Sequence, residues 1–99
     1  MRLDATMTLN EPEHRFELIV DGHMAYEVFE RFDGGIAYLH TIVPKALEGR
    51  GVGSALVRQL MDYARREHLR VRPDCPFVKA WLDKHPEYQD LSLAHGARV

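Results

Sequence analysis

Glu48-Gly49-Arg50-Gly51-Val52-Gly53-Ser54 stands directly between a strand-like run, Ile36 to Val43, and a strongly helical one, Val52 to Glu67. Glycines at 49, 51 and 53 let the backbone take conformations that a Cβ would forbid and let it approach a ligand closely. The helix that follows offers N–H groups without helical acceptors and the positive end of a dipole. A glycine turn opening a helix in this way is suited to an anion, and to phosphate above all. The bland alternative is a loop and cap that binds nothing, since glycine is common wherever chains turn.

Working outward, Phe16, Leu18 and Val20 alternate with Glu17 and Ile19 over Arg15 to Val20, and Asp21-Gly22 supplies a turn. A second strand, Met24 to Phe32, places Tyr26, Val28 and Phe32 on one side and Glu27 and Arg31 on the other, before Asp33-Gly34-Gly35. The third, Ile36 to Val43, directs Tyr38, His40 and Ile42 to one face and Leu39, Thr41 and Val43 to the other; Pro44 ends it. Val52, Leu56, Leu60 and Ala64 then recur at four-residue spacing, opposite Arg58, Asp62, Arg65, Arg66 and Glu67, which predicts an amphipathic helix. Leu69 to Arg72 follows as a short strand that can return parallel to the third. After Asp74-Cys75-Pro76, the spacing of Phe77, Val78, Trp81 and Leu82 predicts a short helix stopped by His85-Pro86.

Ninety-nine residues with 45% hydrophobic and 28% charged composition fit one small domain over residues 1–99, with the termini, 1–13 and 93–99, expected to be loose. Thirteen Lys and Arg against fifteen Asp and Glu give a formal charge of −2, without the basic excess of a non-specific nucleic-acid binder. The single cysteine excludes an intrachain disulfide, and the N-terminus lacks an apolar signal or membrane run, so a reducing, cytoplasmic setting and no membrane partner are expected. No Cys-x-x-Cys or His-x-x-x-His pair is present, and no metal is expected.

Two nucleotide readings of the turn fail. A P-loop needs a lysine before Ser54, where Gly53 stands, and a dinucleotide fold would place its glycines after the first strand rather than the third. Leu39-His40-Thr41-Ile42-Val43-Pro44 followed by Glu48 to Leu56 resembles the acetyl-CoA motif of the GNAT N-acetyltransferases, with Glu48 where that superfamily usually carries Gln or Arg. The chain is similar over nearly its whole length to a compact bacterial-type GNAT-like subfamily. Its signature combines the His40-Thr41 pair, the glycine turn, Pro73-Asp74-Cys75-Pro76-Phe77-Val78 and His85-Pro86-Glu87-Tyr88.

The resemblance implies a mixed α+β fold: an antiparallel β-meander joined to one parallel βαβ crossover, with a short C-terminal helix. It also implies acetyl-CoA as cosubstrate, held at Ile42, Val43, Arg50, Gly51, Val52, Gly53 and Ser54. Backbone N–H groups from Arg50 to Ser54 would hold the pyrophosphate, with the Arg50 guanidinium and Ser54 hydroxyl adding contacts.

Pro76 suits the first helical position, which makes Cys75 an N-cap whose thiolate the helix dipole favours; a solitary cysteine is otherwise a small buried hydrophobe. By resemblance, His40 and Cys75 sit on adjacent parallel strand ends, His40 as a base and Cys75 or Tyr88 as a proton donor. The implied activity is acetyl transfer to an amine by direct attack, with passage of the acetyl group through Cys75 as the second route. The amine is a small molecule or a protein or peptide group, and the chain is expected to be a monomer or weak homodimer. The competing reading is a non-catalytic acyl-CoA-binding or regulatory module of the same fold, and a third is an interaction domain without a small ligand.

Overall fold

The computed structural model describes residues 5–99. A short strand β1 (Thr8–Asn10) precedes β2 (Arg15–Val20), β3 (His23–Phe32) and β4 (Gly35–Ile42). After a 3-10 turn at Lys45–Leu47 come α1 (Val52–Arg66), β5 (Arg70–Pro73), α2 (Pro76–Asp83) and two 3-10 segments, Pro86–Leu91 and Leu93–His95. The strands form one sheet in the order β1-β2-β3-β4-β5; β1 to β4 pair antiparallel and β5 joins β4 in parallel. The meander and the crossover through α1 are thus as the pattern implied. No helix among the described residues is long and apolar enough to cross a membrane.

Alternation decides the core. Phe16, Leu18 and Val20 from β2 are buried while Ile19, between them, is exposed. Val52, Leu56, Val57, Leu60, Met61 and Ala64 form the buried stripe of α1, each larger side chain contributing about 1.5–3 kcal/mol by leaving water. Tyr38, fully buried in β4, donates its hydroxyl to the Leu60 carbonyl of α1 at 2.8 Å, which ties the strand to the crossover helix.

Contacts reach both ends of the described residues. The segment at 8–10 pairs with Arg15 to Glu17, and the Gln59 side chain of α1 fastens the stretch before it, accepting from Met7 N–H and donating to the Ala5 carbonyl. These ties come from a residue about fifty positions away, so no local pattern announces them; residues 1–4 lie outside the described residues. At the other end, Ser92 bridges to Val71 of β5, and the Arg70 guanidinium donates to the Arg98 carbonyl.

Two strand faces depart from simple alternation. In β3 the side chains turned into the core are Ala25, Glu27 and Phe29, so a glutamate expected on the polar side is fully buried. In the pairing of β3 with β4, Val28 lies opposite His40 and Phe29 opposite Tyr38, leaving Leu39 as an inserted residue. Such a bulge reverses the parity of everything beyond it. Tyr38 therefore points into the core, but His40 and Ile42 are exposed on the other face and Thr41 turns inward. The expected grouping of Tyr38 with His40 and Ile42 is corrected by that one residue.

Candidate active site

The glycine turn is conformationally what its composition implied. Gly49 and Gly51 both have φ of 75°, and Gly51 is the N-cap of α1. The helical ladder begins with Ala55 N–H to the Gly51 carbonyl at 3.0 Å, so the N–H groups of Val52, Gly53 and Ser54 precede any helical acceptor. Gly53 serves another purpose. Its φ is not positive, but a Cβ there would lie 2.8 Å from Cζ of Phe77, so the missing side chain lets α2 approach α1.

A cavity of about 310 Å³ opens on this turn, lined by Val43, Leu47, Glu48, Gly49, Gly51, Val52, Gly53, Ser54 and Phe77. Its walls are largely backbone and apolar, with Glu48 the one acidic side chain among them. Phe77 was expected on the buried face of α2; it is instead 46% exposed and walls the cavity, while Val78, Trp81 and Leu82 keep the buried positions. A larger hollow of about 450 Å³ lies at the opposite end of β5, around Arg65, Arg70 and Asp90. Arg65 is already paired there with Asp90, and that hollow has neither a helix start nor a glycine turn before one.

The expected contacts of the turn divide. Ile42 is exposed at the end of β4, outside the cavity lining, whereas Val43 reaches it. The Arg50 guanidinium lies 2.7 Å from Asp21 in the β2–β3 turn, an exposed pair of the kind worth about 0–1 kcal/mol. The Ser54 hydroxyl accepts from the Trp81 indole N–H at 2.8 Å and keeps its own proton to donate.

Cys75 is the N-cap of α2, with Pro76 at the first helical position, as the sequence implied. It is 3% exposed, and its N–H donates to the Tyr38 carbonyl at 2.8 Å, which pins the start of α2 to β4. The thiol makes no cap bond to the helix. Its partner is the Thr41 hydroxyl, 3.1 Å from Sγ, and that hydroxyl donates in turn to Oε1 of Glu27. Oε2 of Glu27 has no hydrogen-bond partner among the described residues. Burial pushes this carboxyl up to about 7, against the opposing pull of the Thr41 hydroxyl and the His40 backbone N–H.

The structure thus brings Cys75 together with Thr41 and Glu27 rather than with His40 and Tyr88. His40 is carried to the outer face by the bulge at Leu39. Tyr88 donates its hydroxyl to Asp62 of α1 at 2.6 Å, and the Arg58 and Arg65 guanidinium groups each lie over its ring. Burial, with the Asp62 carboxylate, raises its pKa. Glu27 was missed because its neighbours Tyr26 and Val28 suggested the opposite apolar face. The available signal was the row Ala25, Glu27, Phe29, in which a glutamate interrupts an otherwise apolar period of two.

An antiparallel meander, a parallel β4–β5 pair, and a glycine turn starting the crossover helix define a GNAT-like class of fold. The chain belongs to the GCN5-related N-acetyl-transferase family, whose model matches residues 15–91. Among solved structures it is similar to a GCN5-like protein from Staphylococcus aureus, determined by NMR in solution. The two share 30% identity and a TM-score of 0.69 over 89% of this chain and 87% of that one. It is also 33% identical over 52 residues to Protein NATD1 of Xenopus tropicalis, covering 52% of this chain and 48% of that protein, so the match spans about half of this curated relative.

Proposed function

We propose that the protein transfers an acetyl group from acetyl-CoA to an amine. The observation that carries this is the cavity at the start of α1, where two glycines at φ of 75° precede three N–H groups without helical acceptors. Such an end binds an anion through backbone donors and a dipole, and the CoA pyrophosphate is an anion of that kind. The cavity suits it: its acidic side chain, Glu48, is exposed and free to turn away, and no Cβ projects from Gly49, Gly51 or Gly53. Val52, Gly53 and Ser54 would hold the pyrophosphate, with the Ser54 hydroxyl donating. Arg50 would join only by leaving Asp21. Phe77 stands two residues from Cys75, so a ligand anchored on the turn and running along that ring is directed toward the thiol end of β4 and β5.

The amine acceptor is a small molecule or a protein or peptide group, taken by a monomer or weak homodimer in the cytoplasm. Bound acetyl-CoA supplies a thioester carbonyl activated for attack by an amine. Titration with CoA and acetyl-CoA should raise Tm, because a ligand that binds only the native state stabilises it. Acetyl-dependent release of CoA across polyamines, small amines and peptides then separates an enzyme from a binding module. An unchanged Tm with both ligands would overturn the reading; CoA binding without release on any amine would leave the non-catalytic module.

A further inference from the structure

Glu27 is a costly residue to keep. It is a carboxyl with no solvent exposure, one of its oxygens has no partner, and its position in β3 would suit an apolar side chain. Its other oxygen takes the Thr41 hydroxyl proton in hydrogen bonding, and the same hydroxyl oxygen lies 3.1 Å from the only thiol in the chain. These three side chains come from β3, β4 and the start of α2, so the arrangement is assembled by the fold and not by a local turn.

The donors and acceptors assign its direction. An ionised carboxylate can only accept, so Thr41 must donate to Glu27, which leaves the Thr41 oxygen to accept from the Cys75 S–H. If the thiol proton moves to Thr41 while the Thr41 proton moves to Glu27, the network keeps its single negative charge and transfers it from oxygen to sulfur. Among the described residues, the groups packed around Glu27 do not compete for that proton. Tyr38, the titratable group of β4 that faces Glu27, has its hydroxyl committed to the Leu60 carbonyl. β2 sets Phe16 opposite Glu27, and the buried side chains of α1 are all apolar; Tyr63 of α1 packs on Phe16.

We propose that Glu27, acting through the Thr41 hydroxyl, takes the proton of the Cys75 thiol; this relay favours the route through Cys75 that the family resemblance offers second. This rests on the acetyl-CoA reading above and replaces direct attack as the route. In the first half, the Cys75 sulfur bonds to the thioester carbonyl carbon and the bond to the CoA sulfur breaks. The CoA thiolate leaves with the proton held by Glu27, which returns through Thr41. In the second half, the neutral amine attacks the Cys75 thioester, the amide forms, and the amine proton goes to the Cys75 sulfur. Across both halves an acetyl thioester and an amine become CoA thiol and amide, with no oxidant or reductant. Cys75 is then a catalytic residue and Glu27 a positioning residue that sets its protonation.

The test is acylation of the single cysteine, read as an acetyl increment in intact mass that hydroxylamine removes. Two donors are used: acetyl-CoA, and p-nitrophenyl acetate, which needs no nucleotide site. With either donor the wild type should acylate at a rate that rises with pH and levels off through an inflection near 7. Glu27→Gln should lose that inflection and slow by about a hundredfold at neutral pH, the scale of general-base assistance. Thr41→Val should do the same while leaving Glu27 in place, and Thr41→Ser should restore both rate and inflection. An inflection that survives in Glu27→Gln or Thr41→Val overturns the proposal, as does Cys75 unacylated by both donors while CoA raises Tm. Acylation by the ester with the expected profile, but no rise of Tm with CoA, would uphold the relay and remove the coenzyme reading instead.

Discussion

The two halves of the candidate site are built by different means. The cradle, Glu48 to Ser54, is one continuous turn whose properties come from backbone conformation: two positive φ values, a helix start and an absent Cβ against Phe77. The network at Cys75 has no sequence continuity; Glu27, Thr41 and Cys75 meet only because β3, β4 and α2 do. A cradle of backbone donors tolerates varied surroundings but not a side chain in the wrong place. A relay of side chains tolerates no loss of a hydroxyl or carboxyl, and it charges the fold for a buried acid.

That contrast can be broken most directly through Glu27. Its folded pKa of about 7 lies above the unfolded value near 4.5, so its carboxyl favours folding when protonated. The contribution is complete below about 4.5 and is lost as pH rises through about 7. At ~1.4 kcal/mol per pH unit the loss across that interval is on the order of 3 kcal/mol. Urea midpoints for wild type and Glu27→Gln, compared from acid to mildly alkaline pH, should diverge by that order, the variant gaining as pH rises. Parallel curves would mean that Glu27 is not a buried acid. CoA-induced stabilisation should be nearly the same in both proteins, because the cradle lies elsewhere.

Gly51→Asp probes the other half. A Cβ at φ of 75° costs about 1–2 kcal/mol of backbone strain, and the new carboxylate would face the proposed pyrophosphate site, so CoA affinity should fall at least about tenfold. Isothermal titration would show it, and an affinity unchanged from wild type would remove the cradle. Tyr38→Phe tests the link between the halves, since Tyr38 holds both the Leu60 carbonyl and, through its own carbonyl, the Cys75 N–H. Loss of the hydroxyl should cost about 1 kcal/mol of stability by denaturant titration. The smallest effect belongs to Glu48→Gln: removing a solvated negative charge from the cavity rim should tighten CoA by a few-fold, ~0.5 kcal/mol, and less at high salt. Weaker binding in that variant would place Glu48 among the ligands of CoA.

Legibility followed the same division. The α1 stripe, the β2 alternation, the crossover and the Cys75-Pro76 helix start were all readable because each rests on a period or a cap within about fifteen residues. His40 was grouped with Tyr38 on one face because alternation was continued through Leu39, and the inserted residue in β4 has no glycine or other local mark. Tyr88 was grouped with Cys75 by motif order, yet its hydroxyl is claimed by Asp62 nearly three turns into α1, on its accessible side. β1 was overlooked because three residues carry too little pattern, and its fastening is the Gln59 amide.

By itself the sequence determined the meander, the parallel crossover, the conformation of the glycine turn and the family resemblance, because periodicity, capping and positive φ act within a few residues. Only the tertiary structure decided which face of β4 carries Thr41, that Phe77 walls the cavity, and that Glu27 is buried behind Cys75. Those depend on a one-residue bulge and on pairings between residues up to about fifty positions apart. A side chain's protonation and partners are set by what packs against it, and that is written in no single stretch of the chain.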